Sequence, residues 1–322
     1  MKFTIKGPEI NIPEKISIRK PLLMMGSCFA ENIGVLLKNQ LFDININPFG
    51  IVYNPLSIIN HLSRLINNAS FNDDHIVEHN SLWFSWEHHG SYAGANKAEV
   101  LNQINTDFFK ANEKIKNAEW LIITLGSAFY YQLNQSSQIV SNCHKLPAAY
   151  FTKKLAIQLE ITQGFEIIVQ ELKVLNPKLK ILFNVSPVRY TRDGLKENTL
   201  SKSILHLAIA ELNAKFNNCF YFPSYEIVID ELRDYRFYKA DMLHPNDTAI
   251  EYIYDKFATA LFDEETKMIV KDIQQLNAFS NHKILNQSNE AIQRHLLKKN
   301  RLLQDLFKKY PFIENIYQTR KS

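Results

Sequence analysis

Three residues of the kinds that carry out nucleophilic hydrolysis occur where helices are predicted to begin. Ser27 lies between the apolar run 22–25 and a helix-patterned stretch that starts at Cys28. Far downstream, Asp241 and His244 lie three residues apart, again just before a helix. In a serine hydrolase the histidine takes the serine proton, and the acid holds the histidine tautomer and stabilises the imidazolium. The chain therefore offers a candidate triad of Ser27, Asp241 and His244.

Ser27 also has a purely structural interpretation, because serine is a favoured N-terminal cap of any helix. The Asp-x-x-His spacing is likewise only a hypothesis when it is taken alone. The triad is favoured because both features occur together, in the order Ser, Asp, His, on a chain with an α/β pattern.

A serine hydrolase also needs hydrogen-bond donors for the oxyanion that develops during attack. The backbone N–H of Ser27 is one candidate, because amides at the start of a helix lack partners within it. Gly50 is a second, since a glycine lets the backbone approach a substrate closely. Asn54, Ser127 and the amides near Gly126 form a third group. For Gly50 and Gly126 an ordinary turn is the alternative, and the sequence alone favours it.

Arg189 follows the end of a predicted strand, where a guanidinium could receive a carboxylate or a phosphate group. The alternative is an internal ion pair with one of the acids in residues 230–234. The sequence does not decide between these two interpretations.

Two histidine-containing stretches, residues 87–89 and residues 142–145, could bind a metal, contact a substrate or form structural hydrogen bonds. If His88 and His89 lie on a strand, their side chains point to opposite faces and do not readily share one ion. We therefore predict no metal site, and we name His89 and His144 as candidate substrate contacts.

Short apolar runs alternate with helical patterns over the first 265 or so residues. Such alternation predicts a parallel sheet covered by helices on both faces, with ligands bound beyond the carboxyl ends of its strands. Ser27, Gly50, Gly126, Arg189 and the loop 241–244 each follow a predicted strand and so should meet at one edge. The predicted strands are 16–25, 42–46, 120–124, 179–185 and 219–222.

The helical patterns fall between these strands, and the last of them begins at a Thr248-x-x-Glu251 capping box. The segment 83–94 and the stretch onward to Val140 interrupt the pattern. We interpret them as insertions that fold over the same edge of the sheet. The predicted helices start at residue 28 and at Pro55, and then span 155–175, 200–216 and 225–233.

The chain of 322 residues is 46% hydrophobic, which is enough for a substantial core. We expect an α/β domain over residues 1–265 and a basic helical extension over residues 266–322. The extension holds eleven lysines and arginines against four acids, which leaves the rest of the chain with a charge of −3. A basic helical tail could meet nucleic acid or an anionic surface, but no aromatic ladder accompanies it. We expect a solvated face and no nucleic-acid partner.

Three cysteines, at positions 28, 143 and 219, have no paired spacing and fit a reducing cytoplasm. The first 20 residues do not resemble a signal peptide, and no stretch approaches the ~20 apolar residues of a membrane span. We expect a cytoplasmic protein without a membrane span. The sequence does not indicate an oligomeric state.

The stretch Gly26-Ser27-Cys28-Phe29-Ala30 spells the signature of the GSCFA family, and the chain resembles that bacterial group over residues 1–265. The family is similar to a branch of the SGNH/GDSL hydrolases. Further matching motifs follow in order: NPFGIVYNP (47–55), TLGSAFYY (124–131), NCHK (142–145), SPVRYTRDG (186–194) and DELRDYRFYKADMLHP (230–245).

The resemblance implies a flavodoxin-like three-layer α/β/α sandwich. It places the nucleophile at Ser27, the oxyanion glycine at Gly50, the third block at residues 125–127 and the acid/base pair at Asp241 and His244. The superfamily has an asparagine two residues after the third-block glycine, where this chain has Ala128. That side-chain oxyanion donor is therefore missing or replaced, by Ser127 or Asn54.

The favoured function is a serine esterase or deacylase that forms an acyl-enzyme on a small or carbohydrate-linked ester. An acyltransferase with the same triad is a second hypothesis, and a binding protein on a degenerate hydrolase fold is a third. No glycine-rich phosphate loop follows the first strand, which argues against a flavin or nucleotide binder. We expect no cofactor.

Overall fold

The apolar runs form strands in the computed structural model, which describes residues 5–281 and 289–319. The strands in this part of the chain are β1 (Leu22–Gly26), β2 (Ile44–Ile46), β3 (Val77–His79), β4 (Leu82–Phe84), β5 (Trp120–Leu125), β6 (Phe129–Leu133), β7 (Ile139–Val140), β8 (Phe151–Leu155), β9 (Lys180–Val185) and β10 (Cys219–Tyr221).

The amphipathic stretches form helices, and the short α6 continues into a wider helical turn over Ile227–Glu231. The helices in the described ranges are α1 (Cys28–Asn39), α2 (Pro55–Ile66), α3 (Lys97–Asn117), α4 (Gln158–Leu175), α5 (Leu195–Lys215), α6 (Ser224–Glu226), α7 (Asp247–Leu261), α8 (Glu264–Asn281), α9 (Asn289–Lys309) and α10 (Pro311–Thr319).

Five strands form one parallel sheet in the spatial order β2-β1-β5-β9-β10. Counted along the chain, this is the order 2-1-3-4-5 of flavodoxin-like folds. Every residue of β1 and β5 is buried, because helices cover both faces of the sheet. The predicted three-layer α/β/α sandwich with a central parallel sheet is confirmed.

Alternate residues of each strand supply the two hydrophobic cores, since successive strand side chains point to opposite faces. Leu23 and Ile123 pack into the core that α2, α3, α4 and α5 share. Leu22 and Ile122 pack into the core formed with α1, α7 and the C-terminal helices. The sheet therefore holds the two helical layers apart and presents its carboxyl edge between them.

The interpretation of residues 83–140 as inserted material is wrong for helix α3. Its Ile104, Phe108 and Ile115 are fully buried against the sheet, so α3 belongs to the core and connects β2 to β5. The added parts are smaller. They comprise the hairpin β3-β4 with the turns that follow it, and the antiparallel sheet β7-β6-β8.

Two predicted boundaries are wrong for local reasons. The first strand begins at Leu22 and not at residue 16, since Pro21 has no N–H to donate to a strand ladder. The capping box at Thr248 is not formed. Helix α7 begins two residues earlier than that cap implies, because the side chain of Asn246 caps it, accepting the N–H of Ala249 at 3.1 Å.

Helices α8, α9 and α10 pack against the layer that contains α1 and α7. Ile269, Ile273 and Ile313 are fully buried in this core. The hydroxyl of Thr266 accepts the N–H of Ile18 at 2.9 Å, which ties the start of α8 to the segment before β1. The boundary expected between residues 265 and 266 falls within the first turn of α8.

Candidate active site

Ser27 occupies the sharp connection between β1 and α1. It is fully buried and is the N-terminal cap of α1, with its Oγ accepting the N–H of Phe29 at 3.3 Å. The preceding Gly26 has φ of +141°, and a Cβ added there would lie 2.3 Å from the carbonyl oxygen of Thr124. Only glycine fits this position, so the turn that places Ser27 at the end of β1 depends on Gly26.

Asp241 and His244 form a hydrogen-bonded couple in the loop before α7. The Asp241 Oδ2 atom lies 2.6 Å from His244 Nδ1. The other oxygen, Oδ1, accepts the backbone N–H groups of His244 at 3.0 Å and Leu243 at 2.9 Å. These two amides, together with the imidazole, lower the pKa of Asp241 to about 2. The carboxylate is therefore ionised and holds Nδ1 protonated, which leaves Nε2 to act as a base.

The structure brings Asp241 and His244 together but does not join them to Ser27. No hydrogen bond links Ser27 Oγ to His244 among the described residues, and the His244 side chain is 41% exposed whereas Ser27 is buried. Lys239, in the same loop, lies close enough to Cys28 to lower its thiol pKa, against the larger raising effect of burial. The 239–244 loop therefore lies near the start of α1.

The backbone amides predicted as oxyanion donors are bonded to carbonyl groups. The N–H of Ser27 donates to Thr124 at 3.2 Å, and that of Gly50 donates to Asn47 at 2.7 Å. The N–H groups of Gly126 and Ser127 both point to the carbonyl of Tyr53, at 2.8 and 3.4 Å. None of these four amides is free to receive an oxyanion in this conformation.

The side chains of Asn54 and Ser127 are also engaged. Asn54 caps α2, accepting the Ser57 N–H at 2.8 Å and donating to the Ser57 hydroxyl at 3.0 Å. The Ser127 hydroxyl accepts the Phe129 N–H at 3.1 Å and contacts the hydroxyl of Ser201 at 3.2 Å. Both residues hold loops at the sheet edge in place.

The amides of Cys28 and Ala30, in the first turn of α1, are further candidate oxyanion donors at this edge. They have no carbonyl partner in the described part of the chain. The sequence predicts the Ser27 N–H in their place. Cap geometry could have identified them, because the amides left open in a helix are those that follow the cap.

Lys202, on α5, is a residue of the site that the sequence pattern does not indicate. It is 2% exposed, and its ammonium donates to the carbonyls of Gly126 at 2.7 Å and Ser186 at 2.6 Å, just beyond β5 and β9. Burial, and secondarily the nearby Arg189, lower its pKa to about 7. Lys202 thus ties together the two loops that follow the central strands.

The low pKa of Lys202 should make stability depend on pH. The unfolded chain binds the proton up to a pKa of ~10.4, so between about pH 7 and 10 it holds more protons than the folded protein. Over that window the unfolding free energy of the wild type, relative to Lys202→Met, should rise by at most ~1.4 kcal/mol per pH unit. Urea denaturation at pH 7 and pH 9 measures the difference.

Lys196→Met removes an exposed lysine of the same helix and controls for the change in net charge. If the unfolding free energies of the wild type and Lys202→Met change by the same amount from pH 7 to pH 9, Lys202 keeps its proton throughout. Its contacts are then those of an ordinary ammonium.

The two candidate histidines lie in the added segments. The 87–89 stretch is a turn and not a strand, so the expected placement of His88 and His89 on opposite strand faces is wrong. His89 covers the loop at Gly50, since a Cβ added to that glycine would lie 2.3 Å from the His89 Cβ. His144 bonds to the Ser85 carbonyl at 3.0 Å through Nε2, so it holds the same segment from the other side.

His88 is a further buried histidine under this segment. Its ring packs edge-on against Phe71, with centroids 4.7 Å apart, and neither ring nitrogen has a hydrogen-bond partner in the described ranges. Burial lowers its pKa, so the ring stays neutral. Across residues 5–281 and 289–319 there is neither a cluster of three metal-binding side chains nor a helix able to cross a membrane.

Arg189 does not form the ion pair that the sequence left open. Within residues 230–234, Asp230 pairs with Arg233 at 2.7 Å, and Asp234 lies 3.7 Å from Arg236. Glu231 pairs with a lysine of α7. The Arg189 guanidinium has no hydrogen-bond or ion-pair partner among the described residues, and its Nε atom is buried.

Comparison with known proteins adds a family assignment. The model of the GSCFA family matches residues 21–257, from the start of β1 through most of α7. No curated protein matches the chain.

Two solved structures show weak likeness to the chain. One is a carbohydrate esterase family 3 protein from Talaromyces cellulolyticus, at 8% identity and a TM-score of 0.34, covering 79% of this chain and 99% of that one. Another is an acetyl xylan esterase from the rumen bacterium Butyrivibrio proteoclasticus, at 10% identity and a TM-score of 0.37, covering 77% of this chain and 64% of that one. At these scores, neither likeness bears on function.

Proposed function

Because the chain belongs to the GSCFA family, with the fold that its resemblance to SGNH hydrolases implies, we propose that it is a serine ester hydrolase. Ser27 is the proposed nucleophile, His244 the general base and Asp241 the residue that orients His244. The observation that carries the proposal is the couple of an ionised Asp241 with His244 Nδ1 at 2.6 Å, in a loop near the helix that Ser27 caps.

In the proposed reaction, His244 Nε2 takes the Ser27 proton as Oγ attacks the carbonyl carbon of an acyl ester. The carbonyl oxygen becomes an oxyanion, for which the open amides of Cys28 and Ala30 are the proposed donors. Collapse breaks the bond to the alcohol, which leaves with the proton from His244. Water, activated by the same histidine, then releases the acid and restores Ser27.

Ser27 and His244 must approach each other for this reaction. Catalytic hydrogen bonds are often long before substrate binds, and Ser27 is covered in this conformation. We propose that substrate binding displaces the side chains over Ser27 and brings Oγ to Nε2. The substrate class is a small or carbohydrate-linked acyl ester, and the three unpaired cysteines accord with a cytoplasmic location.

A fluorophosphonate probe tests the nucleophile directly. The wild-type protein should form a covalent adduct on the peptide containing Ser27, since an activated serine Oγ displaces fluoride from the probe and becomes phosphonylated. His244→Ala should form little adduct, and an Asp247→Ala control, in the first turn of α7, should label like the wild type.

An acyltransferase would label in the same way, so competing acceptors must be added to an ester assay to distinguish transfer from hydrolysis. If the wild type neither labels nor cleaves any acyl ester, the site is non-catalytic. The binding-protein hypothesis would then replace the hydrolase.

A further inference from the structure

The loop after β9 presents an unpaired guanidinium beside the proposed catalytic loop. Arg189 lies four residues past the end of β9 and makes no side-chain hydrogen bond or ion pair within the described ranges. A guanidinium has five N–H donors, and the Nε donor of Arg189 is both buried and unsatisfied. Native structures rarely leave such a group without a partner, so the Arg189 guanidinium is a candidate for binding a ligand.

The surroundings of Arg189 place it between two loops of the site. It lies close enough to the phenols of Tyr225 and Tyr238 to lower their pKa values, against the larger raising effect of burial. Tyr225 belongs to α6, and Tyr238 lies three residues before Asp241. Arg189 is therefore near the loop that carries the acid/base couple.

Lys202 adds to the positive potential when it is protonated, below its pKa of about 7. Lys202 is buried within electrostatic range of Arg189 and bonds only to the neutral carbonyls of Gly126 and Ser186 among the described residues. The permanent charge of Arg189, with that of protonated Lys202 nearby, favours an anion. Lys202 already uses two N–H donors on these carbonyls and contributes charge only when protonated, whereas Arg189 has open donors.

The nearby carboxylates do not pair with Arg189. Asp193 pairs with Lys153, and Glu226 accepts a hydrogen bond from the hydroxyl of Tyr221 at 2.7 Å. Asp241 is held by His244. Each acid has its own partner, so the N–H donors of the Arg189 guanidinium remain available to bind an anion.

We propose that Arg189 binds an anionic group, a carboxylate or a phosphate, on the substrate of this site. A planar guanidinium binds the oxygens of either group in bidentate fashion, which fixes orientation as well as charge. The assignment of that anion to a substrate rests on the proposed hydrolase function, whereas the anion site itself does not. The substrate class would then be an acyl ester whose acyl or alcohol part carries a negative charge.

Equilibrium binding tests the anion site without requiring catalysis. Inorganic phosphate and acetate, titrated separately into the full-length protein at constant ionic strength, should each give saturable shifts in amide NMR signals if both oxyanions fit. Saturation by phosphate alone or by acetate alone identifies which group the site takes. Arg189→Gln should abolish saturation, and Arg189→Lys should weaken binding by about 10-fold because the bidentate fork is lost.

Arg233→Gln is the matched control, since it removes an exposed arginine whose charge Asp230 already balances. It should bind both anions like the wild type. Absence of saturable binding to the wild type, or equal binding by folded Arg189→Gln, overturns the proposal. If Arg189→Gln does not fold, wild-type affinity in Arg189→Lys overturns it and a weakened affinity supports it.

Kinetics then assign the anion to the substrate. With two esters that differ only by a carboxylate or its methyl ester, Arg189→Gln should lower kcat/KM for the charged ester by about 10- to 100-fold and for the neutral one by less than about 2-fold. An equal loss for both esters gives Arg189 a structural role and overturns the substrate assignment. If neither ester is cleaved by the wild type, the hydrolase proposal fails while the binding result still stands.

Discussion

Ser27→Ala should lower kcat for acyl esters by at least about 10³-fold, because the variant cannot form the acyl-enzyme. The fold should survive. The hydroxyl accepts one N–H, that of Phe29 at 3.3 Å, and loss of an N-terminal cap costs about 0.5–2 kcal/mol. Steady-state rates and a thermal melt of the same preparation measure both effects.

A matched control separates the lost cap from the lost nucleophile. Asn96 caps α3 through hydrogen bonds from the N–H groups of Ala98 and Glu99, and it is remote in the chain from the triad. Asn96→Ala should show a comparable fall in melting temperature with unchanged kcat. If Asn96→Ala loses activity as Ser27→Ala does, the effect reports stability and not chemistry.

Turnover that survives in Ser27→Ala would mean that another group attacks the ester. Cys28 is the neighbouring alternative, but burial raises the pKa of its thiol, which leaves little thiolate at neutral pH. A Ser27→Ala, Cys28→Ala double variant resolves the question. Residual activity that disappears only in the double variant would assign the nucleophile to Cys28.

The inner strands β1, β5 and β9 could be predicted because each is a short, largely apolar run that is almost wholly buried. The edge strands β2 and β10 are only partly buried. Helix α3 was harder to recognise, since its apolar positions are separated by charged ones and its neighbours in sequence lie in added segments. The cap of α7 was misplaced by two residues because Asn246, Asp247 and Thr248 are all plausible caps in sequence. Only the tertiary position of Asn246 selects it.

In the candidate site, too, contacts within one loop could be predicted from the sequence, whereas contacts between separate loops could not. Asp241 and His244 meet because three residues of one loop separate them, so their contact could be predicted. The partners of the Gly50 and Gly126 amides are set by how separate loops pack, which the sequence does not reveal. Lys202 lies between two serines on a helix, a pattern that is typical of an exposed lysine. Its burial follows only from the tertiary structure.

His244→Ala should reduce turnover about as severely as Ser27→Ala, because triad members act as a unit. Asp241→Asn is the more informative variant. Asparagine keeps an oxygen for the amides of Leu243 and His244, so the loop can retain its shape. The other contact changes, since an amide NH₂ would face Nδ1 where a carboxylate oxygen now lies at 2.6 Å.

That single exchange should invert the histidine tautomer. With NH₂ opposite it, Nδ1 becomes the acceptor and the proton moves to Nε2, which can no longer take the proton of Ser27. We expect kcat to fall by about 10²- to 10⁴-fold in Asp241→Asn, with the melting temperature nearly unchanged. Because the Asp241 pKa is about 2, the wild-type carboxylate is charged throughout the assay range, and raising the pH should not rescue the variant.

Asp247→Asn supplies the control, since it removes an exposed carboxylate six residues away without touching the ring. It should keep wild-type kcat. The tautomer of His244 can be read in each protein from the nitrogen chemical shifts of its imidazole. A wild-type rate in Asp241→Asn, with the proton found on Nε2, would show that the couple shapes the loop and that a different base serves the nucleophile.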